Sequence, residues 1–116
     1  MIKVIYSKDG QPISDFKVYD AVDDMIEVYN THRNSITQDI PIKTSSELYL
    51  SVFGLRVMEE RISADEVEFY FEDEKLEFDI YLGISMPKNK TMGFFAEVTE
   101  KAVVTGYKNM KRDGCE

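Results

Sequence analysis

The chain has 116 residues, of which 22 are acidic and 14 are Lys or Arg, for a formal net charge of −8. That length fits one domain, and 43% hydrophobic residues, including seven Tyr and seven Phe, supply enough apolar area for a core and exclude a wholly disordered chain. No run reaches the 18 consecutive apolar residues of a spanning helix. A single cysteine, Cys115, forms no internal disulfide, so the fold must rest on burial, which suits a reducing, cytoplasmic setting. The reading is one domain over residues 1–110 and a polar tail over 111–116.

Residues 2–6 alternate as a strand, and Asp9-Gly10 with Pro12 supplies the turn chemistry that ends it. Phe16, Tyr19, Val22, Ile26 and Tyr29 then recur at helical spacing, with Ser14 or Asp20 as caps and Asp23, Asp24 and Glu27 favoured by the positive end of the helix. Residues 30–39 read as the helix end and a polar loop, and the residue before Pro41 should be extended. Thr44-Ser45-Ser46-Glu47 has the form of a capping box opening a second helix over 45–62, with Leu48, Val52, Leu55 and Met58 on its buried face. Gly54 in mid-helix points to a kink or a close packing contact. A strand through Leu48, Leu50 and Val52 is the competing reading.

The period then changes to two. Val67, Phe69 and Phe71 alternate with acids and Tyr70, and Leu76, Phe78, Ile80, Leu82 and Ile84 alternate with Glu77, Asp79 and Tyr81. With Asp73-Glu74-Lys75 as a tight turn, this is a hairpin. Residues 87–90 read as a loop, and 92–98 and 102–107 as a second hairpin turning at Thr99-Glu100-Lys101. The expected fold is α+β: a mainly antiparallel sheet of four to five strands (the N-terminal strand plus two C-terminal hairpins) packed against two helices.

The charge is uneven. Residues 59–79 hold ten acids against Arg61 and Lys75, an excess equal to the whole net charge, while the end of the chain is locally basic. Other chemistry is sparse. His32 and Cys115 are the only residues of their kinds, which leaves no zinc set, and no calcium-loop spacing, nucleophile elbow, Walker loop or dinucleotide fingerprint occurs. His32 and Arg33 fit a helix C-terminus. Tyr107-Lys108-Asn109-Met110-Lys111-Arg112 mixes bases with one aromatic, but a net −8 repels phosphate. No enzyme activity, cofactor, metal, membrane or direct nucleic-acid contact is expected.

Acids at alternate strand positions lie about 6.6–6.8 Å apart on one face. Glu66, Glu68 and Glu72 with Glu77 and Asp79 opposite would form a ladder of like charge that a basic partner relieves. Tyr70 and Tyr81 would add contact area to the same face. The expectation is a non-enzymatic protein-binding module whose partner-binding residues are Glu66, Glu68, Tyr70, Glu72, Glu77, Asp79 and Tyr81. It would be a small acidic inhibitor or regulator in the style of a phage or mobile-element protein. Its partner would be a basic surface, such as the nucleic-acid groove of a nuclease, which the acids would mimic a nucleic acid to fill. One alternative is a structural protein self-associating through a sheet edge such as 92–98, with a homodimer as its simplest form. Another is a small enzyme or ligand-binding domain with a pocket between helices and sheet.

Overall fold

The structure, a computed structural model, describes residues 1–86 and 96–114. It is α+β, with a five-stranded sheet in the order β2-β1-β3-β4-β5. The strands are β1 (Ile2–Gln11), β2 (Ile40–Thr44), β3 (Val67–Phe71), β4 (Glu74–Asp79) and β5 (Gly83–Ser85). The helices are α1 (Val18–His32), α2 (Glu47–Met58) and α3 (Ala96–Arg112). β1 runs parallel to both β2 and β3, whereas β3–β4 and β4–β5 are antiparallel.

Alternation in β1 and β3 places Ile2, Val4, Val67 and Phe69 in the core and Lys3, Ile5, Glu68 and Tyr70 on the outer face. The register sets Lys3 beside Glu68 and Ile5 beside Tyr70. β1 outlasts the predicted stop at Asp9-Gly10, because the chain bends there and Gln11 pairs with the same Thr44 that pairs with Tyr6. Gly10 permits this approach: a Cβ would lie 2.4 Å from the Thr44 carbonyl carbon. β2 is a strand the periodicity did not reveal. It is five residues long, contains Pro41 and lies at the sheet edge, where a missing amide is tolerated. Ile40, before Pro41, is extended as expected.

Val18, Val22, Ile26 and Tyr29 form the buried stripe of α1. Phe16 is not part of it. It lies in a 3-10 turn over Asp15–Lys17 and is 82% exposed. Neither Ser14 nor Asp20 caps α1, since the 3-10 turn runs directly into the helix and backbone carbonyls serve its first amides.

Helix α2 is capped by Ser46 rather than Thr44. The Ser46 hydroxyl accepts from the Tyr49 amide at 3.1 Å, while Thr44, in β2, accepts from the Ser46 amide at 3.0 Å. Leu48, Tyr49, Leu50, Val52, Phe53, Leu55, Val57 and Met58 are all buried, so α2 is a core helix covered on most sides. It packs on β1, β2 and β5, and α1 and α3 flank it. Phe53 and Phe69 meet edge to face, with centroids 6.2 Å apart. Gly54 makes the expected close contact, with its would-be Cβ 2.8 Å from Ile84 Cδ1. α2 stops at Met58, short of residue 62, because Glu60 turns into the left-handed region (φ 62°) and Arg61 N–H donates back to the Arg56 carbonyl at 3.1 Å.

The first hairpin is present, but it turns at Glu72-Asp73, and Glu74 already belongs to β4. Its single long second strand is two. Asp79 Oδ1 accepts from the Tyr81 and Leu82 amides at 2.8 and 2.6 Å, and this turn separates β4 from β5. The second hairpin is overturned, since 96–112 is one helix. The expected loop at 87–90 and residues 92–95 of the expected strand lie outside the described residues. The proposed edge segment 92–98 therefore has its last three residues in α3.

Helix α3 is held along its inner side, from Val98 in the core to Asn109. Gly106 lies against the Tyr81 carbonyl. Asn109, 7% exposed, donates from Nδ2 to the Met58 carbonyl at 2.9 Å and the Ile80 carbonyl at 2.7 Å. Met58 is the last residue of α2, so Asn109 satisfies a helix-end carbonyl that has no partner within α2. The Tyr81 hydroxyl donates to Asp113 at 2.7 Å, and Arg112 pairs with Glu60 at 2.6 Å. α3 continues through Arg112, so Lys111 and Arg112 form its final turn.

Candidate functional site

The ten acids of residues 59–79 do not form one ladder. Glu59 faces Arg56 at 2.8 Å and Glu60 faces Arg112. Glu66 ends a 3-10 turn ahead of β3 and pairs with Arg33, leaving its other carboxylate oxygen buried without a hydrogen bond. Glu72 occupies the hairpin turn with φ 57°. Tyr81 is turned toward Asp113 at the end of α3. Of the seven partner-binding residues inferred from sequence, Glu66, Glu72 and Tyr81 thus lie apart from the rest. The reason is that their backbone is turn rather than strand, so the alternation rule does not aim them.

Glu68 and Tyr70 share the outer sheet face, and the Tyr70 hydroxyl donates to Glu68 at 3.0 Å. Lys75, opposite Tyr70 in the register, reaches Glu68 at 2.8 Å. The Lys75 ammonium, with the Tyr70 hydroxyl, holds the Glu68 carboxyl below the usual carboxylate range.

The structure does bring Glu68, Glu77 and Asp79 together. With Asp65 they line an open depression of about 830 Å³ where β3 and β4 diverge. Val67, Phe69, Leu76, Phe78 and Leu82 form its apolar walls, and Met1 and Lys75 also border it. The Met1 amino group lies 3.8 Å from Asp39. Glu68 is engaged with Lys75, and Asp79 with the turn amides. Asp65 and Glu77 make no ion pair among the described residues. Sequence reading missed Asp65 as a member, because its position depends on the 3-10 turn over Ala64–Glu66.

A second concavity, of about 450 Å³, lies between α2, α3 and the β4–β5 turn. It is lined by Gly54, Leu55, Met58, Ile84, Val98 and Ala102 among others, and by no charged side chain among the described residues. Nothing in the sequence signalled it, since α3 reads there as strand. Among the described residues no three His, Cys, Asp or Glu side chains converge to hold a metal ion, and no helix is long and apolar enough to cross a membrane. Comparison of the chain with protein-family models, with curated proteins and with solved structures finds no significant match to any of them.

Proposed function

We propose that this chain is a non-enzymatic protein-binding module that receives a basic segment of another protein in the acidic depression at the β3–β4 mouth. The observation that carries the reading is the juxtaposition of Asp65, Glu68, Glu77 and Asp79 over apolar walls. A Lys or Arg side chain is amphipathic: its methylene stem prefers apolar surface and its head prefers carboxylates. A site lined by both acids and apolar residues, Val67, Leu76 and Phe78 among them, suits both parts at once. An uneven field of this kind also speeds encounter with a basic surface. In this reading the chain acts as an inhibitor or regulator by covering that surface, such as a nucleic-acid-binding groove.

Isothermal titration with a deca-arginine peptide, and a deca-glutamate peptide as control, tests it. Only the basic peptide should bind, and binding should weaken steeply from low to moderate salt as the Debye length falls to about 8–10 Å. The Asp65→Lys/Glu77→Lys variant avoids the two carboxylates with structural partners, and it should lose at least about tenfold in affinity. Equal binding by wild type and variant would refute the reading. A second reading, a small neutral ligand between α2 and α3, is favoured by the uncharged concavity there, whose 450 Å³ falls in the usual range of ligand pockets.

A further inference from the structure

We propose that two copies of this chain associate by packing α3 against α3, antiparallel, about a two-fold axis at Val104. At about 100° per residue, Glu97, Glu100, Lys101, Val104, Tyr107, Lys108 and Lys111 fall within about 60° of one direction on the helix. All seven are exposed. The opposite side, with Val98, Gly106 and Asn109, is buried against the domain. The exposed face therefore carries Glu97, Glu100 and Lys101 in its first half, Val104 and Tyr107 at its centre and Lys108 and Lys111 in its second.

That order is self-complementary only when the helices run antiparallel. A two-fold axis through Val104 sets Glu100 opposite Lys108 of the second copy, and Lys108 opposite its Glu100. Glu97 falls opposite Lys111 in the same way, although Glu97 already engages Lys101 at 2.9 Å along its own helix. The discriminating pair is thus Glu100 with Lys108. A parallel arrangement would place like charges together along the whole face.

The charge order around an apolar centre argues for a second copy as the occupant. Val104 and Tyr107, at the centre of that face, are 47% and 60% exposed. With about 100 Å² for a Val side chain and about 200 Å² for Tyr, they leave roughly 170 Å² of apolar surface open. Dimer interfaces combine an apolar core with a charged rim. Val104 and Tyr107 supply the centre of such a contact, and the paired Glu and Lys supply its rim.

Acids early and bases late in a helix also suit its macrodipole, and charge exchange separates the two explanations. Sedimentation equilibrium of the full chain from about 10 μM to about 1 mM should show a monomer–dimer equilibrium. Val104→Glu, or Val104→Lys should the first unfold, should be monomeric. Glu100→Lys and Lys108→Glu should each weaken association at least about tenfold. Combining the two should restore it, and an equimolar mixture of the two single variants should associate more tightly than either alone. A wild type that stays monomeric, a dimer indifferent to these changes, or a double variant weaker than both singles would each overturn the proposal. None of the substituted residues lines the acidic depression, so this test stands or falls apart from the peptide titration.

Discussion

Replacing Gly106 by Ala sets two effects against each other, and the structure says which one wins. In an isolated helix Ala is favoured over Gly by about 1 kcal/mol. Here the new Cβ would lie 2.0 Å from the Tyr81 carbonyl oxygen, 3.0 Å from its carbon and 3.3 Å from Met58 Cε. The nearest obstacle is backbone in a turn pinned by Asp79, so it has no rotamer by which to retreat. Relief to ordinary contact needs a shift of more than 1 Å between α3 and the turn. A shift of that size would break the Asn109 hydrogen bonds to the Ile80 and Met58 carbonyls, at 2.7 and 2.9 Å. The buried Met58 carbonyl and the partly buried Ile80 carbonyl would lose their partner, at up to about 1–3 kcal/mol each. Overpacking alone typically costs about 1–3 kcal/mol. Overpacking less the propensity gain leaves about 0–2 kcal/mol and the loss of one of the Asn109 hydrogen bonds adds about 1–3, so the expected destabilisation is about 1–5 kcal/mol, or about 4–20 °C in Tm at this chain length. Urea unfolding followed by far-UV circular dichroism measures it. A Gly106→Ala protein as stable as wild type, or more so, would refute the claim that α3 is seated by close backbone contact.

Two further perturbations follow from the same geometry. The Asp113 carboxyl is held down at about 2, first by the Arg112 guanidinium and then by the Tyr81 hydroxyl. A carboxyl depressed in the folded state stabilises fully above its unfolded value near 3.9 and loses that contribution as pH falls through the folded one. The stability difference between wild type and Asp113→Asn should therefore be constant above about pH 5, shrink through pH 4–2 and vanish below. A difference independent of pH would show that the Arg112–Asp113–Tyr81 cluster does not form. Glu72 holds φ 57° without being glycine. That conformation costs about 1–2 kcal/mol in a non-glycine residue, against about 0.5–1 kcal/mol of extra backbone entropy for Gly. Glu72→Gly should thus gain about 0.5–1 kcal/mol in chemical unfolding, and a loss would place an unseen interaction on the Glu72 side chain.

Local pattern was enough to read β1, α1, α2 and the β3–β4 hairpin, because each carries its periodicity in its own residues. Ile2 and Val4 alternate, Val18, Val22, Ile26 and Tyr29 step by helical turns, and Val67 and Phe69 answer Leu76 across a short turn. The α+β class and the predominance of acid in residues 59–79 follow from that alone. Helix α3 was not legible. Its inner side, Val98, Ala102, Gly106 and Asn109, does recur at helical spacing, but only Val98 in it is a large apolar residue, while the β-branched Val103 and Val104, which suggested a strand, face outward.

The central position of β1 was equally hidden, since its parallel partners β2 and β3 are remote in sequence and each is joined to its predecessor through a helix. The fate of the acids was decided last, by folding. The strand pattern counts negative charges, but Arg33, Lys75 and Arg112 come from other elements or other strands, and only tertiary structure brings them to Glu66, Glu68 and Glu60. Charge is a property of the residue and can be summed along a chain. Its neutralisation depends on distance in space, which one dimension does not contain.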